Sequence, residues 1–434
     1  MNRHLEREVQ RVVSVDSLRK AGLGESLPRG SKTICLAYKK EEYEKQMEDK
    51  ACFRNCLDDQ FKNHPELFPV AMSKGYDLYG FTKESVKLHI RLRRIRIKGE
   101  KAPLSIRPSF VMPYMTAFTD EVEDALFLQG FGVPYWGLTR VFGHDDMFWY
   151  RQVTAFGRNS IVGTTVKDPA KLPKDLVADE KHGHLSGEKV YAAITAGDGC
   201  VLGAALCNGA GVEELTDGYG IFAAEAQNIS PGYQAETVGT DGWSATRSAW
   251  LILFQGITLI LCFLHGYIKI RDRCRRGGQR AYDLGTRIWN IYHAPTKGTF
   301  AQRMRRLKEW VSKQPICATA LEKIMALCNN SRQYQKAYDY PDAHRTSNLV
   351  DRLIRGLERY LFNMQHFHGD FISAELGLRA WAIQRNFRPC CPRSATTGGK
   401  DELICPAGKL NGFIYSGNWL ENMLVSASMG GYQQ

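Results

Sequence analysis

Between residues 174 and 267 the spacing of apolar and polar positions changes repeatedly between the two-residue period of strands and the 3.6-residue period of helices. In chain order the segments are KDLVADE (strand), EKVYAAITAGDGCVLGAALC (two strands joined by a Gly-Asp-Gly turn), VEELTDGYGIFAAEAQNI (helix), AETVGTD (strand), SATRSAWLILF (helix) and ITLILCFLH (strand). Strand, hairpin, helix, strand, helix and strand is an order typical of an α/β domain with a mixed sheet.

A second pattern, VKLHIRLRRIRIKGEK at 86–101, alternates apolar and basic residues from Leu88 to Arg93 and again after the Arg93-Arg94 pair. It predicts a strand with one cationic face. Such a face fits a solvated edge strand or a contact with the phosphate backbone, and both interpretations stay open. The side chains predicted to contact DNA are Arg91, Arg93, Arg94, Arg96 and Lys98.

Residues 119–162 have the pattern of three short amphipathic helices separated by glycine-containing turns. This is compatible with a helix-turn-helix whose third segment reads DNA, and equally with plain helical packing. In the first case Arg151 and Arg158 of the third segment would contact DNA.

Helix formers and basic residues dominate 268–345, where Lys269, Arg271 and Arg273 are further predicted DNA contacts. The segment RTSNLVDRLIRGLERYLFNM then predicts a capped helix with apolar residues at helical spacing. The tail from about 387, rich in Pro, Gly and Cys, is expected to be irregular.

The 434 residues carry a formal charge of +12 and a pI of about 9.1, which favours a polyanionic partner, nucleic acid before a membrane surface. The first residues have no apolar core typical of a signal peptide. The most apolar stretch, 249–267, is interrupted by polar residues and falls short of the ~18–20 residues that a membrane span needs. We therefore expect no membrane association.

The twelve cysteines are scattered, a pattern that suits reduced thiols better than a disulfide framework. Two groupings could hold metal: Cys52 and Cys56 with His64, and Cys390 and Cys391 with Cys405. Both lack the doubled short spacing of strong zinc sites, so ordinary thiols are the favoured interpretation.

Three acids stand at positions suited to metal chemistry. Asp179 ends the first predicted strand, Asp241 ends the strand after the first helix, and Asp351 lies in the first turns of the RTSN helix. A mixed sheet with its first and fourth strands adjacent would bring Asp179 beside Asp241, and a helix on that sheet could add Asp351. Clustered carboxylates need cations, and an all-carboxylate set favours Mg²⁺ over zinc. Each acid taken alone fits a solvated surface position.

The motifs VADEKHG, TVGTDGWSATRSAW, ILCFLHGYIKIRDR and HRTSNLVDRLIR, in this order, resemble a bacterial insertion-sequence transposase of the DDE/D type. The resemblance covers roughly 105–430, including PSFVMPYM and VGTTV. The pair Cys262 and His265, in a C-x-x-H motif after the second acid, is similar to the Mutator-like branch, in which a helical insertion separates the second and third acids.

The resemblance implies that Asp179, Asp241 and Asp351 bind Mg²⁺, with Mn²⁺ as a substitute. The commoner third residue is Glu, so Glu358 is a reserve for Asp351. His265 is implied to be catalytic, near the strand end where it could hydrogen-bond a phosphate. Trp243 fits either a stack on a flipped base or a buried aromatic covering the sheet.

The expected fold is α/β: an RNase H-like mixed sheet flanked by helices, with an α-helical insertion and an N-terminal, mainly helical DNA-binding region. The predicted domains are an N-terminal mixed region (1–80), a basic strand and helix-turn-helix-like DNA-binding region (81–170), the first part of the catalytic core (171–267), the helical insertion (268–344), the core helix segment (345–388) and a tail (389–434).

The implied function is transposition: cleavage of element ends and joining of the 3′-hydroxyl to target DNA by two-metal-ion phosphoryl transfer. The expected partners are double-stranded DNA, both terminal inverted repeats and target, and a second copy of the chain in a dimer or larger assembly. The expected location is the bacterial cytoplasm, on the nucleoid. A stand-alone nuclease or resolvase of the same fold, or an inactive DNA-binding regulator, remains an alternative.

Overall fold

The structure, a computed structural model, describes residues 32–274, 278–391 and 405–432. The predictions for the first 31 residues, for 275–277 of the insertion and for 392–404 of the tail lie outside these ranges. The described strands are β1 (Thr33–Leu36), β2 (Tyr76–Phe81), β3 (Arg93–Ile97), β4 (Leu104–Pro108), β5 (Asp175–Leu185), β6 (Glu188–Gly197), β7 (Cys200–Cys207), β8 (Thr237–Thr240) and β9 (Thr258–Leu261).

The α-helices of the same ranges are α1 (Lys40–Glu48), α2 (Lys50–Asn63), α3 (Thr119–Gln129), α4 (Tyr135–Phe142), α5 (Asp146–Gly157), α6 (Ile161–Thr165), α7 (Val212–Ile229), α8 (Ser244–Leu253), α9 (Phe263–Cys274), α10 (Gly278–Tyr292), α11 (Lys297–Val311), α12 (Ala318–Asn329), α13 (Ser331–Gln335), α14 (Asn348–Asn363), α15 (Phe371–Phe387), α16 (Pro406–Asn411) and α17 (Trp419–Ser426). The protein is therefore mixed α/β, with two sheets. None of the described helices is long and apolar enough to cross a membrane.

The five-stranded sheet has the order β7-β6-β5-β8-β9. Its first three strands along the chain form an antiparallel meander, whereas β8 and β9 run parallel to β5. The predicted Gly-Asp-Gly turn joins β6 to β7 through Asp198 and Gly199, whose φ angles are +46° and +82°. Two positive φ angles at the centre of a two-residue loop match the twist of a hairpin. The predicted adjacency of the first and fourth strands is confirmed.

Both faces of this sheet are buried, since alternate residues of β5 enter two different apolar clusters. Leu176 and Ala178 pack with residues of α7 and α8, whereas Val177 packs with residues of α14 and α15. A strand with both faces buried has a continuous run of apolar residues, which explains the sequence Leu-Val-Ala at 176–178.

β5 is longer than predicted, and the acids do not end it. The parallel pairing with β8 stops at Val177, but the antiparallel pairing with β6 continues to Leu185. Asp179 is therefore in the middle of β5, just beyond the last residue paired with β8. The prediction failed because polar residues can continue a strand when a hairpin partner supplies its hydrogen bonds.

The second sheet has four strands in the order β1-β4-β3-β2, with β1 parallel to β4. The predicted basic strand is confirmed only at Arg93–Ile97; residues 86–92 precede it as turns and irregular chain. This sheet joins β1 and β2 from the predicted N-terminal region to β3 and β4 of the next one. The boundary drawn between residues 80 and 81 thus cuts through one sheet.

The three predicted helices of 119–162 are present as α3, α4 and α5, followed by the short α6. Helix α5 buries Trp149 and Val153 and packs along α15. The two backbones approach closely at Gly157, whose carbonyl accepts a hydrogen bond of 3.0 Å from the Arg379 Nε. Helix α5, which was predicted to contact DNA, thus packs one of its faces into the core.

Helices α9 to α13 fill the position of the predicted helical insertion and enclose an apolar cluster of their own. The first of them begins at Phe263, five residues before the predicted boundary at 268. Phe263 is buried in this apolar cluster, so the helical insertion begins at Phe263 and not at residue 268.

The prediction of an irregular tail was wrong for 405–432, which forms α16, α17 and a final 3₁₀ turn. Leu420, Met423 and Leu424 of α17 are buried at helical spacing. The tail is also tied to distant parts of the chain: the Cys35 amide donates to the Ser428 Oγ at 3.1 Å, and the Lys167 amide donates to the Asn411 Oδ1 at 2.9 Å. These hydrogen bonds hold 405–432 against the rest of the protein, which the local composition of the tail does not predict.

Candidate metal centre

Asp179, His265 and Asp351 come together across 172 residues of chain. Each offers a ligand atom, and these atoms lie within 4.8 Å of one another. Within the described ranges, this is the one group of three or more metal-ligating side chains that meets such a limit. Three of the four residues assigned to catalysis from the sequence therefore share one site.

Three elements bring these side chains together. Asp179 follows the point where β5 leaves its parallel neighbour β8, which opens a gap at that edge. Helix α14 packs on β5 and β6 and carries Asp351 in its first turn. His265 lies in the first turn of α9, immediately after β9, so the pair with Cys262 spans a strand-to-helix junction rather than a continuous strand.

Ser347 connects Asp351, His265 and Cys262. Its hydroxyl lies 3.0 Å from the Asp351 Oδ2, 3.3 Å from the His265 Nδ1 and 3.2 Å from the Cys262 Sγ. Its amide also donates to the Cys262 Sγ at 3.2 Å. Ser347 is the N-cap residue of α14, yet its side chain makes no capping hydrogen bond. The hydroxyl therefore orients the site instead of the helix end.

The electrostatics of the site favour a bound cation. Burial raises the pKa of Asp179 to about 6, and the negative charges of Asp241 and Asp351 act in the same direction. The Glu180 amide, which donates to the Asp179 Oδ1 at 2.8 Å, and the charge of His265 only partly oppose this. A divalent cation would relieve the repulsion among the carboxylates.

His265 and Cys262 form a coupled pair beside the carboxylates. The hydrogen bond with the Cys262 side chain raises the pKa of His265 to about 9 against the effect of burial, aided by the charges of Cys262, Asp351 and Asp179. Burial alone raises the pKa of the Cys262 thiol, but hydrogen bonds with His265 and Ser347 outweigh it and lower that pKa. At neutral pH His265 therefore carries a proton.

Asp241 lies next to this cluster without joining its closest group. It directly follows β8, and its Oδ1 accepts a hydrogen bond of 2.7 Å from the Trp243 amide. Its charge nevertheless contributes to the raised pKa of both Asp179 and Glu180. The structure thus brings Asp179 and Asp351 into one cluster and places Asp241 close enough for its charge to act on Asp179.

Glu358 and Glu180 are engaged elsewhere. The Glu358 carboxylate forms an ion pair of 2.7 Å with Lys181, away from the three-residue cluster. Glu180, on the opposite face of β5 from Asp179, accepts hydrogen bonds of 2.6 Å from both Tyr219 and Thr246. Burial, above all, raises its pKa to about 7. The geometry therefore favours Asp351 over Glu358 as a ligand.

No family model and no curated protein matches this chain. The chemical argument therefore depends on the donor set itself. The carboxylates of Asp179 and Asp351, with Asp241 beside them, offer hard oxygen donors, which suit Mg²⁺ or Mn²⁺; a zinc site would be richer in thiolate or imidazole. The residues present fit the cation implied by the sequence motifs.

The residues predicted to contact DNA differ in accessibility. Arg93 is buried, with its guanidinium 5.0 Å from the Phe53 ring centroid and 4.6 Å from that of Phe81, so it supports the fold of the second sheet. Arg94 and Arg96 stack over the exposed Tyr79. The exposed members of the predicted set are Arg91, Arg96, Lys98, Arg151, Arg158, Lys269, Arg271 and Arg273.

The structure also bears on the cysteine groupings and on Trp243, for which the sequence left alternatives open. All twelve cysteines are free thiols, and neither cysteine grouping forms a three-ligand cluster among the described residues. Trp243 is 38% exposed, which excludes the buried alternative for this aromatic. Sequence reasoning missed Ser347; its position before a predicted helix suggested only an N-cap.

Cation binding is expected to strengthen with pH. Below about pH 6 the Asp179 carboxyl is protonated, so a cation must displace that proton, and affinity should fall about tenfold for each further pH unit. A smaller rise is expected near pH 9, where His265 loses its positive charge. Calorimetric titration with Mn²⁺ at several pH values would measure both steps. An affinity independent of pH would contradict this electrostatic description.

Proposed function

We propose that this protein is a DNA transposase that uses Mg²⁺, or Mn²⁺ in its place, and that its five-stranded sheet and flanking helices form an RNase H-like catalytic core. The observation that carries the proposal is the approach of Asp179, His265 and Asp351 within 4.8 Å, with Asp241 alongside. The adjacency of β5 and β8, the first and fourth strands of the sheet, supports the proposed core.

Each residue of the site has a role in this proposal. Asp179 and Asp351 would hold the cation, since their carboxylate oxygens lie within 4.8 Å of each other. Asp241 would complete the set. His265, protonated at neutral pH, would offer its positive charge to a phosphate oxygen, and Ser347 would hold His265 and Asp351 in position.

Divalent cations held by such carboxylates neutralise the charge that develops in a phosphodiester exchange. The protein's own contribution is to fix the phosphate and to gather the carboxylates at one place. The exposed basic residues of α9 and of the second sheet would hold the DNA backbone by charge. The proposed substrate is double-stranded DNA at element ends and at the target, processed by a dimer or larger assembly on the bacterial nucleoid.

A cleavage assay with Asp241→Asn tests this proposal. The wild-type protein should cut DNA carrying the chromosomal sequences that flank its gene, only when Mg²⁺ or Mn²⁺ is present, and should join the freed 3′ ends to a target plasmid. Asp241→Asn should lose cleavage by about a hundredfold or more while still binding the DNA. Cleavage without joining would favour a nuclease, and binding without any cleavage would favour an inactive regulator.

A further inference from the structure

A cavity separate from the carboxylate cluster opens along helix α14. It has a volume of about 810 Å³ and is lined by parts of β5, α14 and α15 and by the turn after α3. Lys181, two residues beyond Asp179 on β5, forms part of its wall. Glu358 lines it as well and is seven residues after Asp351, about 10 Å farther along α14. We call it the α14 cleft.

The α14 cleft is strongly cationic. Among the residues that the structure describes, its lining contains one carboxylate, Glu358, and that group is already paired with Lys181. The four guanidinium groups of the lining have no carboxylate at ion-pair distance among the described residues; they belong to Arg352, Arg359, Arg385 and Arg388. Unpaired guanidinium groups gathered in a concave surface favour an anion with several phosphates.

Two of these arginines lie close together although their charges repel. Burial and then the charge of Arg385 lower the pKa of Arg388 to about 10. The Arg388 guanidinium rests 3.9 Å from the centroid of the Phe131 ring, which holds it at the rim. A phosphate between the two guanidinium groups would remove the repulsion that the fold now carries.

Aromatic rings form the rim of the same cleft. Phe362 is 75% exposed and Phe131 is 53% exposed, a large exposure for side chains that gain from burial. Both line the cleft. A hydrogen bond links the two segments, since the Asn363 side-chain amide donates to the Phe131 carbonyl at 3.3 Å. Exposed rings beside unpaired arginines are the combination that binds unpaired bases along a phosphate backbone.

We infer that the α14 cleft binds a single-stranded segment of DNA, with phosphates on Arg352, Arg385 and Arg388 and bases stacked on Phe131 and Phe362. The inference rests on the proposed function, to which it adds that the strand next to the reacting phosphate is held unpaired. The paired bases of a duplex turn their faces away from such rings, so a duplex would use the charges of the cleft but not its aromatic rim.

Binding measured without any metal tests this inference separately from catalysis. A fluorescently labelled oligothymidylate and its duplex would be titrated with the whole protein in EDTA, by anisotropy, over a range of salt concentrations. The wild type should bind the single strand at least tenfold more tightly. Arg385→Gln should weaken this binding and reduce the salt slope by about 0.7. Phe362→Ala should weaken it about tenfold with the slope unchanged.

Two exposed positions on the insertion helices provide matched controls. Tyr282→Ala removes an aromatic ring that is 71% exposed, and Arg305→Ala removes an exposed guanidinium outside the cleft. Both should leave the preference for the single strand intact. Equal binding of single strand and duplex, or equal losses in Tyr282→Ala and Phe362→Ala, would overturn the inference.

These binding data and the cleavage assay together separate the two proposals. Single-strand binding that depends on Phe362, in a protein that never cleaves DNA, would support the cleft and reject the transposase. Metal-dependent cleavage by a protein without a preference for single strands would support the transposase and reject the cleft.

Discussion

Replacing Asp179 by Asn is expected to abolish metal-dependent DNA cleavage and at the same time to stabilise the metal-free protein. Cleavage should fall about a thousandfold or more, because this proposed cation ligand loses its charge. The stability gain follows from the pKa of about 6: keeping this buried carboxyl ionised costs free energy that an amide does not. We expect unfolding free energy to rise by about 1 to 3 kcal/mol at neutral pH.

The pH dependence gives this prediction a definite sign. Because the pKa of Asp179 is raised in the folded state, the wild type is penalised only above the unfolded pKa, and increasingly as pH rises through about 6. The advantage of Asp179→Asn in EDTA should therefore be absent near pH 4, grow up to about pH 6 and then stay constant. Adding Mn²⁺ should reverse it, because only the wild type binds the cation well.

Thermal unfolding in EDTA and in Mn²⁺, together with the cleavage assay, would measure these effects. Asp77→Asn is the matched control, since Asp77 is an exposed aspartate in a strand of the other sheet. It should change neither the unfolding temperature nor its response to Mn²⁺. Equal stability of the wild type and Asp179→Asn across this pH range would contradict the electrostatic strain assigned to the site.

Gly157→Ala is expected to destabilise the protein strongly. A Cβ atom at Gly157 would lie 2.0 Å from the Leu376 carbonyl oxygen and 2.9 Å from the Leu376 Cα, so the backbones of α5 and α15 would have to separate. The hydrogen bond from Arg379 to the Gly157 carbonyl would be strained as well. We expect a loss of about 3 kcal/mol in unfolding free energy, measured by urea denaturation.

Gly377, one residue after Leu376 on the same helix, provides the control. A Cβ atom there would meet nothing within 4 Å among the described residues. Gly377→Ala should therefore stabilise the protein by up to about 1 kcal/mol, the usual preference of a helix interior for Ala over Gly. Similar effects of the two substitutions would show that the close approach of α5 and α15 does not require a glycine at position 157.

The elements predicted best are those whose ends are set locally. Helix α7 occupies the predicted segment from Val212 to Ile229, and the Asp198-Gly199 turn forms where the hairpin pattern indicated. The elements predicted worst depend on distant partners. β5 continues past Asp179 because β6 pairs with it, and β3 begins late because its pairing with β2 ends at Phe81 and Arg93.

Some residues of the candidate site could be selected from the sequence, and others could be found only in the structure. Asp179, Asp241 and Asp351 could be selected from the sequence because carboxylates at predicted strand ends and in a predicted helix suggest cation chemistry. His265 could be selected only through the resemblance of its C-x-x-H motif. The role of Ser347 could not, since a serine before a helix predicts a cap. The α14 cleft could not either, because its arginines come from two helices and its aromatic rings from a turn and a helix end.

By itself, the sequence of this protein determined the periodicity of its elements, the identities of the acids and the excess of positive charge, all of which are properties of residues and their near neighbours. Only the tertiary structure decided which acids approach one another, that Glu358 pairs with Lys181, that Arg93 is buried and that 405–432 is helical. The physical reason is that these outcomes depend on contacts between residues far apart in the chain, and their energies are absent from any local pattern.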